Sequence, residues 1–308
     1  MKIIAGVDEV GRGPLAGPVV ATSVILKEKH GIEGLRDSKK LSKRQRNKIY
    51  PIIKDQALGI GIGIVDEKII DKINIREATF MAMEISLKKL PMVPDFALID
   101  GECLKNQKIP NKGIIKGDSL IDSIKAASII AKVTRDKIME DYSIIFPEYG
   151  FDKNSGYGTK MHMEALKEFR ACSIHRKTFK PVLQNMPSMT WYEKNKMLDL
   201  VGIRYFSLFL YKEKFEILKT KNIKDLNSFD IITKKSDIFY FFFIQSFYDK
   251  DKMTFNNEIS KKKSIKFKSE LNRYLIQNPQ IVKYKCDFVK VLVSKNISHT
   301  IYFRINES

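Results

Sequence analysis

Lys2 to Val7 is a short apolar run and predicts a strand. Val19 to Leu26, a second β-branched run after a Gly/Pro-rich turn, predicts another. Leu58 to Val65 predicts a third, with glycines at alternate places. Ser42 to Lys54 and Arg76 to Lys88 carry apolar residues at helical spacing, as does Asp122 to Met139. Phe96-Ala97-Leu98-Ile99 predicts a buried strand that ends on Asp100-Gly101. Strands early and helices later predict an α/β domain, and no internal repeat is visible.

Near residue 182 the texture changes from glycine-rich clusters to Lys, Asn, Phe and Tyr. Three parts are expected: a domain over residues 1–182, a linker over 183–196, and a smaller α/β domain over 197–308. In the last part, Leu200 to Leu218 reads as a helix leading into an edge strand. Phe229-Asp230-Ile231-Ile232 with Ile238 to Ile244 reads as a hairpin. Ile265 to Ile276 has helical spacing, and Phe288 to Val293 and Thr300 to Phe303 read as strands.

Of 308 residues, 55 are Lys or Arg and 36 are Asp or Glu, a formal net charge of +19. Such an excess attracts polyanions, nucleic acid first among them. The same excess arises where Lys is only the solubilising residue, so charge alone leaves the odds even. Residues 183–308 hold 23 basic and 13 acidic residues, so both halves are basic. Cys103, Cys172 and Cys286 are far apart and form no Cys-x-x-Cys pair, which excludes a disulfide framework and fits a reducing compartment. The start of the chain lacks a signal-peptide core, and Ile238 to Phe243 is too short for a bilayer span. The expectation is a cytoplasmic protein without a membrane partner.

The candidate chemistry begins at Asp8-Glu9, two adjacent carboxylates at the end of an apolar strand. Burying them without a partner is costly, and a divalent cation is the simplest partner. Hard carboxylate oxygens suit Mg²⁺ or Mn²⁺. Strand alternation points the two side chains to opposite faces, so one shared site needs the strand to end or twist there. Taken alone, Asp-Glu followed by glycines serves equally well as a charged surface turn. Asp100 before Gly101, and Asp118 after Lys116-Gly117, stand in similar places, where a lone Asp is more often a cap or turn residue. Four acids at element ends together favour a carboxylate metal centre that hydrolyses phosphodiesters.

The run from Asp8 to Val19, Asp-Glu-Val-Gly-Arg-Gly-Pro-Leu-Ala-Gly-Pro-Val, resembles the opening signature of bacterial ribonuclease HII. Asp37-Ser38-Lys39-Lys40-Leu41, Asn74-Ile75-Arg76-Glu77-Ala78-Thr79, Asp100-Gly101 and Lys116-Gly117-Asp118 resemble that family's later motifs in order. So do Ala126 to Asp136, Gly156-Tyr157-Gly158-Thr159 and His175 to Pro181. The resemblance covers residues 1 to about 182. It implies an RNase H-like mixed sheet flanked by helices. It also implies Mn²⁺- or Mg²⁺-dependent cleavage of the RNA strand of RNA/DNA hybrids, and incision 5′ of single ribonucleotides in duplex DNA. The products would carry 5′-phosphates. The implied catalytic and metal residues are Asp8, Glu9, Asp100 and Asp118. The Gly11-Arg12-Gly13 turn would sense the ribose 2′-hydroxyl, Tyr157 would stack on the neighbouring deoxyribose, and Lys39 and Lys40 would meet phosphates. Ser128 is explained equally by helix packing, and His162 and His175 are read as structural or phosphate-facing. The rival function is a non-catalytic nucleic-acid-binding protein that retains the scaffold.

The tail resembles YraN-type proteins of restriction-endonuclease fold. Asp230 falls on one site position, but Phe243 and Gln245 stand where Glu and Lys belong, and Ser228-Phe229 replaces Gly-Glu. The resemblance implies a domain that has lost its nuclease site, with Asp230 left as a turn or capping residue. The lysines Lys261, Lys262, Lys263, Lys266 and Lys268 serve equally as phosphate contacts or as a solvated helix face.

Overall fold

A computed structural model of the protein describes residues 2–105, 107–222, 229–248, 261–293 and 300–306. The chain divides into two compact units, Met1–Glu140 with Asp152–Asn185, and Asp141–Phe151 with Met186–Ser308.

In the first unit the strands are β1 (Ile4–Val10), β2 (Val19–Leu26), β3 (Ala57–Val65), β4 (Phe96–Asp100) and β5 (Asn111–Ile114). They form one mixed sheet in the order β3-β2-β1-β4-β5. The β1–β2 and β2–β3 pairs are antiparallel, whereas β1–β4 and β4–β5 are parallel. The helices are α1 (Lys43–Gln56), α2 (Glu67–Ile73), α3 (Ile75–Lys88), α4 (Gly117–Leu120), α5 (Asp122–Ile145), α6 (Phe151–Asn154), α7 (Lys160–Phe169) and α8 (Lys180–Leu183). The last residues of α5 and the first of α6 belong to the second unit.

Both faces of the sheet are covered. On one, Ala5, Val7, Val19 and Ala21 pack with Ala78, Ala82, Met83 and Leu87 of α3. On the other, Val24 packs with Ile53 of α1 and Ala126, Ala127, Ile129 and Ile130 of α5. Double coverage explains why Val19 to Ile25 is buried at every position rather than at alternate ones. The alternate glycines of β3 let α3 lie directly on the strand. A Cβ at Gly63 would stand 1.9 Å from the Ala82 carbonyl oxygen, and one at Gly61 would stand 2.0 Å from that of Ser86.

The Ser42 hydroxyl and the Gln45 side chain cap α1 reciprocally. Asn74, at φ 68°, separates α2 from α3 and accepts the Arg76 and Glu77 amides, so this motif is a helix start. Helices α2 and α7 have no counterpart among the sequence-predicted elements.

The second unit contains α9 (Met189–Lys194), α10 (Leu198–Lys212), β6 (Glu216–Thr220), β7 (Ile231–Lys235), β8 (Ile238–Tyr248), α11 (Lys261–Gln277), β9 (Tyr284–Val293) and β10 (Thr300–Asn306). Helix α9 lies inside the stretch read as a linker. The sheet order is β10-β9-β8-β7-β6, with β8 and β9 parallel across α11 and the other pairs antiparallel. Phe229, Phe241, Phe267, Leu271 and Phe288 form its core, with Phe243 packed against it. Within this unit Arg204 donates to Glu148 and Thr220, and the Thr220 hydroxyl donates to the Ile144 carbonyl.

Asp230 does more than end a turn. It is buried, accepts the Ile244 amide at 2.7 Å, and pairs with the Lys221 ammonium at 3.0 Å. Burial raises its carboxyl pKa, against the opposing pull of Lys221. Ser228 and the side chains of Lys261, Lys262, Lys263 and Lys266 lie outside the described residues.

Candidate metal centre

Strands β1 and β4 run parallel with Val7 beside Ile99, so Asp8 and Asp100 follow one step past their last paired residues. Both strands deliver a carboxylate where the parallel ladder between them stops, while β1 continues beside β2 to Val10. Asp118 comes from the first turn of α4, which begins at Lys116 in the left-handed region, φ 57°. Its amide donates to Asp100 Oδ1 at 3.3 Å. Gly117 makes this approach possible, because a Cβ there would stand 2.7 Å from Ile124 Cδ1 and 3.4 Å from Asp100 Oδ1.

The result is a group of three carboxylates, from Asp8, Asp100 and Asp118, with ligand oxygens all within 4.8 Å of one another. Glu9 is not in that group, and its Oε1 stands 3.7 Å from Arg12 Nη1. It is still within the same field. Burial raises its pKa and Asp100 adds to the rise, while Arg12 and Lys39 oppose it. Burial pushes Asp8 well above the usual carboxylate range, with Glu9 and Asp100 pushing the same way. Asp100 is raised first by burial and further by Asp118. Crowded, desolvated, oxygen-only donors fit a divalent cation, which would relieve the repulsion that raises these values.

Ser128 belongs to this site. Its hydroxyl bonds to the Asp8 carboxylate, lowering that group's pKa, and lies 2.8 Å from Ser38 Oγ. A serine in an apolar helix gives no sequence signal that separates this use from packing. Lys39 Nζ reaches Asp118 Oδ2 at 3.3 Å. Burial is the largest single effect on Lys39 and lowers its pKa, but the bond and charge of Asp118, with the charges of Asp8 and Asp37, together outweigh it and the net shift is upward. Lys40 is exposed and completes the single 3₁₀ turn Ser38–Lys40, capped by Asp37.

Gly11, Arg12 and Gly13 follow β1 directly. Gly11 has φ 101°, and a Cβ on it would stand 2.3 Å from Arg135 Nε. Gly13 faces Tyr157, whose ring Cε1 would stand 3.6 Å from a Cβ at Gly13, and Tyr157 is 42% exposed. The turn and the aromatic ring thus share one surface.

The two histidines are buried beneath it. His162 Nδ1 lies 2.9 Å from the Tyr157 carbonyl oxygen, which can only accept. That leaves His162 Nε2 as the acceptor of the 3.0 Å bond from His175 Nε2–H. His175 Nδ1 then accepts the Cys172 amide at 3.0 Å. Both rings are neutral in this arrangement. Burial, with His162 adding to it, lowers the His175 pKa to about 3. The pair ties the Tyr157 main chain to the Cys172–His175 turn.

No helix among the described residues is long and apolar enough to cross a membrane. The chain is 54% identical over 178 residues to a ribonuclease HII of Acetivibrio thermocellus, covering 58% of this chain and 70% of that one. It is 51% identical over 181 residues to a ribonuclease HII of Enterococcus faecalis, covering 59% and 71%. The ribonuclease H2 structure from Pyrococcus horikoshii OT3 matches with a TM-score of 0.53 at 28% identity, covering 60% of this chain and 96% of that one. The family model described as ribonuclease HII takes in residues 5–182, every acid and glycine of the site included. With more than half its length inside that match, and the acids gathered at the open end of a parallel strand pair, the chain belongs to the ribonuclease HII family.

Proposed function

We infer that Asp8, Glu9, Asp100 and Asp118 hold the cations with which this endoribonuclease cuts the RNA strand of RNA/DNA hybrids. The observation that carries the assignment is the convergence of three of the four carboxylates within 4.8 Å. The all-oxygen donor set favours Mg²⁺ or Mn²⁺ over softer ions. When bound, such ions activate water and steady the leaving oxygen in an in-line displacement that leaves 5′-phosphate and 3′-hydroxyl ends.

The chain's own residues do the rest. Ser128 orients the Asp8 carboxylate, and Lys39 places a positive charge beside Asp118 where a phosphate would approach. Lys40 and Arg12 are exposed and extend that charge toward the nucleic acid backbone. The Gly11-Arg12-Gly13 turn admits a ribose closely and reads its 2′-hydroxyl, the group that separates RNA from DNA at one position. Tyr157, across from Gly13, offers its ring to the adjacent deoxyribose. This pairing supports single ribonucleotides in duplex DNA as substrates, cut on their 5′ side. Three free cysteines suit a reducing cytoplasm.

For the catalytic domain over residues 1–182, the linker over 183–196 and the part over 197–308, the reading is a nuclease joined to a basic accessory domain of restriction-endonuclease-like plan. Among its described residues, that last domain keeps no cutting site of its own. Phe243 is packed in its core, and the Asp230 carboxylate is engaged by Ile244 and Lys221.

The test is a labelled DNA duplex with one ribonucleotide, incubated with Mg²⁺ or Mn²⁺ and then with chelator. Metal-dependent incision 5′ of that nucleotide is expected. Absence of cutting under both metals would leave only a nucleic-acid-binding role.

A further inference from the structure

Two arginines in the first unit are fully buried, Arg135 and Arg176. Each guanidinium donates to three main-chain carbonyl oxygens. Arg176 Nη2 donates to Gly11 at 2.5 Å, Nη1 to Arg12 at 2.8 Å, and Nε to Gly17 at 3.0 Å. Arg135 Nε donates to Pro18 at 2.9 Å, Nη2 to Ala16 at 3.1 Å, and Nη1 to Ser155 at 2.8 Å. The targets are the glycine turn, the loop that follows it, and the segment before Tyr157. Burial depresses both side chains, Arg135 to about 10 and Arg176 to about 9, where the charge of Arg135 adds to the effect. Two like charges kept this close in the interior are costly, so something in the fold requires them.

Arg176 is itself fixed. Its amide donates to the Leu15 carbonyl at 2.9 Å, and its guanidinium lies over the Phe179 ring at 5.2 Å. Asp71 caps the next residues by accepting the Lys177 and Thr178 amides, each at 2.9 Å. The anchor is therefore rigid and the turn hangs from it. No peptide bond among the described residues is cis. In a trans peptide the C=O and the following N–H point in opposite directions. Drawing the Gly11 and Arg12 carbonyls inward therefore turns the Arg12 and Gly13 amides outward, on the side where Tyr157 stands.

We propose that Arg176, braced by Arg135, is a positioning residue that sets the peptide planes of the Gly11-Arg12-Gly13 turn and thereby its discrimination of a ribose from a deoxyribose. The proposal rests on the reading that this turn senses the 2′-hydroxyl. A lysine at position 176 keeps the charge but cannot span three carbonyls with one ammonium. Glutamine keeps polarity and loses the fork.

Full-length protein and the variants Arg176→Gln, Arg176→Lys, Gly13→Ala and Ile53→Val are compared in single-turnover cleavage. Two substrates are used, a DNA duplex with one ribonucleotide and the same duplex with a 2′-fluoro nucleotide at that position. The readout is the ratio of the two rates, because partial unfolding scales both rates together and leaves the ratio unchanged. Arg176→Gln is expected to lower the ratio by roughly 10- to 100-fold, the size of losing bonds from a charged donor. Arg176→Lys should fall between it and wild type and serves if the glutamine variant does not fold. Ile53→Val, on the buried face of α1 and away from the turn, should keep the wild-type ratio. A wild-type ratio that survives both Arg176 substitutions, while Gly13→Ala lowers it, overturns the clamp and leaves the turn's role standing. A wild-type ratio near one overturns the turn's role and the clamp with it.

Discussion

Asp8 and Asp100 stand at matching positions one step beyond the last residues that β1 and β4 pair with each other, and the charge of Asp100 helps to raise the Asp8 pKa. Two desolvated carboxylates so placed work against folding until a cation joins them. Because the folded pKa of Asp8 lies above its usual value, its ionised form at neutral pH is a destabilising element. Asp8→Asn should therefore raise the metal-free Tm, by about 2–4 °C if the relief is ~1 kcal/mol. The same variant should lose the stabilisation that Mg²⁺ or Mn²⁺ gives the wild type. Calorimetry with and without metal checks both signs, and a lower metal-free Tm would contradict the account.

Asp100→Asn should reduce cleavage by at least about 100-fold, since one donor of the cation cluster is lost. Duplex affinity, measured in Ca²⁺, should stay within about threefold, because phosphate contacts come from other residues. Strong loss of binding would assign Asp100 to substrate docking instead.

The two glycines of the turn should separate. Gly11→Ala forces a Cβ to within 2.3 Å of Arg135 Nε at φ 101°, so it should cost stability, on the order of 2 kcal/mol or more. Gly13→Ala meets nothing closer than Tyr157 Cε1 at 3.6 Å, so it should keep the wild-type Tm while slowing cleavage. Equal Tm losses in denaturation curves would show that Gly13 is structural as well.

Much of this architecture is written in local pattern. The run from Val19 to Leu26 gives β2 residue for residue, and the acids that gather at the site stand beside or near glycine, close to the ends of their elements. What local pattern does not carry is who meets whom. Ser128 looks like a packing serine until Asp8 lies beside it, and nothing around Arg176 in the sequence shows that its fork faces inward onto the glycine turn. Helix α7 was hidden because it is only ten residues long and its buried face, His162 with Ala165 and Leu166, is interrupted by a polar residue. Glu9 shows the opposite limit. Its adjacency to Asp8 leaves open whether the strand twists enough for one shared site, and in the structure its carboxylate lies outside the 4.8 Å group, 3.7 Å from Arg12.

The histidine chain makes stability pH-dependent. His175 has a folded pKa of about 3 against an ordinary value of 6.5, so the unfolded chain takes up a proton first. Its contribution is present above about pH 6.5 and is lost as pH falls from there toward about 3. Imidazole resonances followed by NMR should show His175 neutral at about pH 5, where a free histidine is mostly charged. A midpoint near 6.5 would refute the neutral pair.

Asp230→Ala leaves the buried Ile244 amide without its acceptor and should cost about 1–3 kcal/mol of stability in the second unit. It should not change cleavage of hybrid. Full-length Asp100→Asn protein, incubated with plasmid DNA and Mn²⁺, should cut nothing. Residual nicking that Asp230→Ala abolishes would show a working second site.

Two kinds of positive charge surround the turn, and ionic strength tells them apart. Lys39 and Lys40 are exposed, and their pull on phosphates weakens as salt rises. Arg135 and Arg176 hold carbonyl dipoles from buried positions, where salt screens far less. Raising salt should therefore loosen the grip on the duplex while leaving the preference for ribose over deoxyribose intact, so that the enzyme becomes weaker without becoming less selective.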